Sequence, residues 1–224
     1  NKVQVMAILP YAIHTQKQIA QQQSIQISGL ADPTLFVHYS LVNTLLDSTL
    51  HEVNQSLLVG AGLKPALGKF RYEESNPNQV ANANFQLGTG STDWMLNALY
   101  NIRYAAWGIN ADAQYRFPGE NPDSYRFGAR SSVAMTLFYA YGRGHKITLM
   151  PYVNTTLEYA ARDSRAGLSI ENTGGGIQWL GAGLEAYSKR FVFGLNFAKP
   201  AAQNLSNGEL QAIDRFSLHI SYLF

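Results

Sequence analysis

The sequence predicts an all-β chain that folds as a transmembrane, antiparallel, up-and-down β-barrel. Three observations predict it. Apolar residues recur at every second position in ten segments, the period of a strand with one apolar face. Charged residues make up only 14% of the 224 residues while aromatics reach 12%, thirteen of them Tyr. No segment approaches the roughly 18 apolar residues of a membrane helix, and the mean hydropathy is slightly polar. Few charges, many aromatics and no apolar block suit a barrel in which only alternate side chains meet lipid.

The ten strands follow in order. Val3, Val5, Ala7, Leu9, Tyr11 and Ile13 line the first; Leu35, Val37, Tyr39 and Leu41 the second; Leu57, Val59, Ala61 and Leu63 the third. Trp94 to Ile102 and Trp107 to Phe117 supply the fourth and fifth, and Tyr125 to Tyr139 the sixth. Ile147 to Tyr159, Leu180 to Ala186 and Phe191 to Phe197 give the next three. Phe216, Leu218, Ile220, Tyr222 and Phe224 share one face of the last, with Ser217, His219 and Ser221 on the other. Each segment runs about ten residues, enough to cross a bilayer at a barrel tilt. Tyr11, Trp94, Trp107, Phe117, Tyr125, Tyr139, Tyr159 and Tyr222 fall near strand ends, as interfacial girdles do.

The connections give an independent test. Long ones (His14 to Asp32, Ala66 to Gly90, Ala160 to Thr173, Pro200 to Asp214) and a medium one (Pro118 to Asp123) alternate with shorter ones. The shorter ones are Asn43 to Glu52, Tyr104 to Ala106, Gly142 to His145 and Ser188 to Arg190. Outer-membrane barrels show this alternation, long loops outside and short turns in the periplasm. An even strand count then places both termini in the periplasm, within one barrel domain over residues 1–224. The alternative is a soluble β-barrel or sandwich with its apolar face inward. It gives the loop alternation no cause.

Charge agrees with the first reading. Lys64 and the candidate lumen-lining residues Asp93, Asn97, Arg103, Asp112, Arg116, Arg126, Arg130, Glu158, Glu185 and His219 all take the parity opposite the apolar face. Lys or Arg facing lipid at mid-depth would cost about 2–4 kcal/mol. Lys199 alone breaks the rule, at a strand end beside Pro200 where its chain reaches water. Arg103, Arg116, Arg126 and Arg130 on consecutive strands suggest a cationic ladder along a pore. Met95, Leu99, Phe138, Met150 and Trp179 on the same parity suit small hydrophobic or aromatic solutes.

Other classes find little support. A net charge of +2 without a basic cluster implies no nucleic-acid partner. Cysteine is absent, removing thiolate metal sites and disulfides. Scattered histidines imply no metal, and no cofactor is expected. Gly174-Gly175-Gly176 lacks the Lys-Ser/Thr and helix of a phosphate loop and reads as a loop-to-strand junction. Ser217, His219 and Glu185 suggest an outer-membrane lipid hydrolase. Residues two apart on a strand are about 7 Å apart, too far for a Ser–His hydrogen bond. No catalytic residue is therefore assigned and the chain is read as a non-enzyme. The chain starts at Asn1 without an initiator Met or signal peptide, as a processed form or one lacking upstream residues would.

The terminal strand, with alternate apolar residues ending on Phe224, resembles the closing strand of bacterial outer-membrane barrels. That resemblance implies recognition by the barrel-insertion machinery. Further segments carry a second resemblance: Leu9-Pro10-Tyr11, Gly29-Leu30-Ala31-Asp32-Pro33-Thr34-Leu35, Gly60-Ala61-Gly62-Leu63-Lys64-Pro65, Phe85-Gln86-Leu87-Gly88-Thr89-Gly90-Ser91-Thr92-Asp93 and Trp107-Gly108-Ile109-Asn110-Ala111. In order and spacing they resemble the outer-membrane family named for the MetA pathway of phenol degradation. The likeness covers roughly the first half of the chain. Ala31-Asp32 stands where that family has Gly-Asp, and Pro65-Ala66-Leu67-Gly68 where it has Pro-Thr-Gly. The resemblance implies a twelve-stranded barrel, so this chain closes with ten strands or lacks an upstream hairpin. It also implies passive movement of small solutes across an outer membrane, with lipid as the surrounding partner. An accessory barrel subunit of an envelope complex is the alternative.

Overall fold

The structure is a computed structural model that describes residues 2–18, 23–44, 52–71, 83–142 and 146–223. Ten antiparallel strands form one sheet, and each of the ten expected segments supplies one of them. They are β1 (Val3–Ile8), β4 (Thr34–Asn43), β5 (Val53–Lys64), β6 (Asp93–Tyr104), β7 (Trp107–Phe117), β9 (Arg130–Tyr139), β10 (Ile147–Ala160), β13 (Gly175–Ser188), β14 (Phe191–Leu205) and β15 (Arg215–Tyr222). Each pairs with the next in chain order. The sheet is open: β1 and β15 each have one strand neighbour in it.

Four expectations are corrected. Proline supplies no N–H and restricts the residue before it, and at Leu9-Pro10 the expected first strand breaks after Ile8. Residues 11–30, mostly expected as a loop, form a hairpin of β2 (Tyr11–Gln18) and β3 (Gln23–Leu30), in register from Tyr11↔Leu30 to Gln18↔Gln23. The expected sixth strand is interrupted as well. Tyr125–Arg126 (β8) joins Ser164–Arg165 (β11) and Leu168–Ser169 (β12) in a separate three-stranded sheet. Tyr125 is consequently no girdle residue: it is buried with Phe127 and Ala83, and Phe70 and Ile170 pack against them. Lastly, β14 continues through Pro200 to Leu205. Phe224 lies outside the described residues, as do parts of the connections expected over His14 to Asp32, Asn43 to Glu52, Ala66 to Gly90 and Gly142 to His145.

Because every connection is antiparallel, the long connections gather at one rim of the sheet and the short ones at the other. The turns at Ala105 (φ +50) and Lys189 (φ +53) reverse the chain with a non-glycine residue in the left-handed region.

Side-chain alternation sorts the two faces as expected. Leu96 is 54% exposed, Val153 56% and Leu218 67%, within an apolar surface spread over all ten strands. On the opposite face, Phe36, Met95, Phe138, Met150, Trp179 and Val192 are buried beside polar side chains. Glycines on this face stand directly across the ladder from rings on the same face: Gly62 from Phe36, Gly60 from His38, Gly108 from Phe138, Gly183 from Tyr152, Gly194 from His219. A Cβ at any of these glycines would run into the facing ring. Each ring therefore lies along the wall over its glycine instead of projecting from it.

Candidate functional site: a polar inner face under a buried ionic collar

Four charged side chains meet where β5, β6 and β7 reach the long-loop rim. The Lys64 ammonium donates to Asp32 Oδ2 (2.7 Å), Thr89 Oγ1 (2.6 Å) and the Ser91 carbonyl (2.9 Å), and lies 3.3 Å from Asp93 Oδ2. Arg116 donates through Nε to Asp93 Oδ2 at 2.5 Å, and its NH2 group closes on the same oxygen. Asp93 is fully buried. Two carboxylates offset two cations, so the cluster is close to neutral, the condition under which charges persist in a dry site.

The cluster also ties down loop backbone. Asp32 accepts from the Gly68 and Thr89 amides, both at 2.8 Å. Asp93 accepts from the Ser91 hydroxyl (2.9 Å) and the Gly119 amide (3.2 Å), while Asn121 donates to the Thr89 carbonyl at 3.2 Å. Gly68 and Gly88 cross so closely that a Cβ on Gly88 would meet the Gly68 backbone. Burial pushes the Asp32 carboxyl up, but the Lys64 hydrogen bond and the two amides outweigh it and hold it below the usual aspartate value. Sequence reasoning left Asp32 at the end of a long connection and missed this collar. The signal was present: Asp32, Lys64, Thr89, Ser91 and Asp93 all fall in the quoted motif segments.

A second anchor holds the loop sheet. Asp163, buried, accepts from the Tyr125 hydroxyl (2.6 Å) and the Gly128 amide (2.7 Å).

Below the collar, the polar face carries hydrogen-bonded chains across strands. His38 Nε2 meets Asn97 Oδ1 at 2.7 Å, and Asn97 donates to Asp112 at 2.9 Å. Because Asn97 spends its amide hydrogens on Asp112 and Ala113, His38 must be the donor, which places a proton on Nε2. Glu158 pairs with Arg215 (2.8 and 3.3 Å), whose guanidinium covers the Trp179 ring at 4.2 Å. Glu185 accepts from Tyr187 (2.5 Å) and lies 3.5 Å from His219. Arg103 stacks on Phe138 at 5.2 Å.

The cationic ladder does not assemble. Arg103 lies opposite Gly108 near the short-turn rim, whereas Arg116 lies opposite Arg130 near the long-loop rim. Eight residues of β7 separate those levels, about 26 Å at the strand rise. Arg126 sits on β8, outside the large sheet, 3.8 Å from Glu120. Two cavities open on the inner side. One of about 360 Å3 lies beneath the collar among Gln114, Arg116, Arg130, Glu158, Ile177 and Leu205. Another of about 190 Å3 lies lower, among Leu58, Leu99, Asn110 and Asp112. Among the described residues, no group of three or more His, Asp or Glu is placed to hold a metal ion.

No family model matches the chain, and no curated protein matches it.

Proposed function

We propose that the chain is an outer-membrane channel for passive movement of small solutes, its ten strands closing as a barrel around the polar face, with both termini periplasmic. The observation that carries this reading is the division of the sheet. One face is apolar and exposed along every strand, and the other holds the hydrogen-bonded polar chains and the cavities. In water such an outer face would be an aggregation surface far beyond the few hundred Å2 a monomer tolerates; in a bilayer it is the required coat. β6, β7, β10, β13 and β14 each have at least the roughly 9–11 residues a tilted crossing needs. Rings folded over inward glycines keep the lining low, and paired charges leave a mixed, weakly selective wall.

A hydrolase finds less support. His219 faces Glu185 across Gly194, while Ser217 and Ser221 are two residues away along its own strand.

Planar-bilayer recording of the purified protein tests the proposal. Discrete conductance steps are expected; a protein that inserts yet stays silent at all voltages refutes it.

A further inference from the structure

Resting on the channel reading, we infer a lateral exit from the interior to the lipid-facing surface, between β13 and β14 at the long-loop end. Its passenger is a small uncharged apolar solute. Two cavities lie back to back there. The inner one, about 360 Å3, and an outer notch of about 510 Å3 share Ser131, Glu158, Tyr159 and Ile177. The notch dents the apolar coat: Val133, Leu157 and Tyr159 line it, but Ser131, Gly176, Gln178, Ala202 and Asn204 stand among them where other levels carry large apolar side chains. It begins one step beyond Lys199, where the coat gives way to charge.

The four shared residues lie on β9, β10 and β13, and at the edge of this thin wall the β13–β14 ladder is weak. The register slips between Gln178 and Trp179, leaving Ala201 unpaired, and Pro200 opposite Trp179 has no N–H to give. The Trp179 carbonyl accepts from the Thr155 hydroxyl of β10, at 3.1 Å. Beyond the bulge, β14 keeps only four register pairs with β13, from Gln178↔Ala202 to Gly175↔Leu205. On its other side β15 reaches only Ala198, so the last stretch of β14 meets the following loop, chiefly through Gln203 and Ala212. This stretch is a flap on a proline-marked hinge. Inside, Arg116 and Glu158 pair with Asp93 and Arg215, and Ile177, Leu205 and Ala160 give an apolar side to a lining that also holds Gln114, Arg130 and Ser132. An apolar molecule there gains by leaving sideways into hydrocarbon rather than onward through a polar lumen.

The chain has no cysteine, so a cross-link is clean to introduce. Gln178→Cys with Ala202→Cys joins two outward register partners across the flap. Gly176→Trp fills the notch without moving the wall, because a Cβ there finds its nearest neighbours at 3.6 and 3.7 Å. Uptake of N-phenyl-1-naphthylamine, fluorescent once in the membrane, is measured in Gram-negative cells carrying each variant; bilayer conductance is measured on the same proteins. Expected is a severalfold fall in probe uptake on oxidation, reversed by dithiothreitol, and a similar fall for Gly176→Trp, with conductance unchanged. Unchanged uptake in the cross-linked protein and in Gly176→Trp, with conductance intact, overturns the lateral exit alone. A wild-type protein that neither conducts nor admits the probe overturns the channel reading with it.

Discussion

Lys64→Met tests the collar most directly. The substitution keeps the length and apolar stem of the side chain but deletes its charge, leaving Asp32 and Asp93 with Arg116 as the only cation of the cluster. Lys64 makes three hydrogen bonds between 2.6 and 2.9 Å and is 4% exposed. Removing one partner of a buried ion pair typically costs about 3–5 kcal/mol, because the remaining charge stays in a dry site. Denaturant unfolding in detergent micelles, followed through Trp94 one residue from Asp93, should register a loss of that order. The double variant Lys64→Met/Asp32→Asn should recover part of it, since it restores charge balance. Limited proteolysis should cut the single variant faster around Gly68 and Thr89, whose amides the collar holds. The pH dependence has a fixed sign. Asp32 titrates below its unfolded value, so its contribution is full above the ordinary aspartate range. That contribution is lost only as pH falls from there through the lowered folded value. If Lys64→Met unfolds within about 1 kcal/mol of wild type, a range typical of exposed pairs, and cleaves at the same rate, the collar is not a buried ionic anchor.

Further perturbations address the other claims. Leu195→Arg, on the outward face of β14, should cost about 2–4 kcal/mol in lipid vesicles; an unchanged folding free energy would mean that this face does not meet hydrocarbon. Gly108→Val should destabilise by about 1–3 kcal/mol through overpacking against Phe138, and Phe138→Ala in the same chain should relieve part of the clash. Asp163→Ala should free the Tyr125 hydroxyl and the Gly128 amide at about 1–3 kcal/mol each, read as faster proteolysis around residues 119–128. Arg103→Glu should move the reversal potential in a salt gradient toward cation preference; no shift would remove Arg103 from the conducting path.

Strand identity was legible because a strand repeats every two residues, and one apolar face is enough to mark it. The ten strands of the sheet and the parity of Asp93, Asn97, Glu158 and Glu185 follow from that repeat, and the alternation of long and short connections supplied their antiparallel order. Breaks were harder to see: Pro10 stood in plain view, yet apolar alternation ran across it from Leu9 to Tyr11. The β2–β3 hairpin was hidden because its glutamines and serines resemble loop composition. Tyr125 and Phe127 kept strand parity although their apolar partners, Phe70, Ala83 and Ile170, lie on distant segments.

By itself, then, the amino-acid order settled where the ten strands of the large sheet lie and which face of each is apolar, since both depend on neighbours one or two positions away. Only the tertiary structure decided that Asp32, Lys64, Asp93 and Arg116 form one neutral buried collar, that Arg103 and Arg116 belong to opposite rims, and that the end of β14 hangs on four register pairs. Those are matters of register and burial between segments tens of residues apart. Period-two patterning is blind to them, because sliding one strand past another by two residues leaves its pattern unchanged while exchanging every partner.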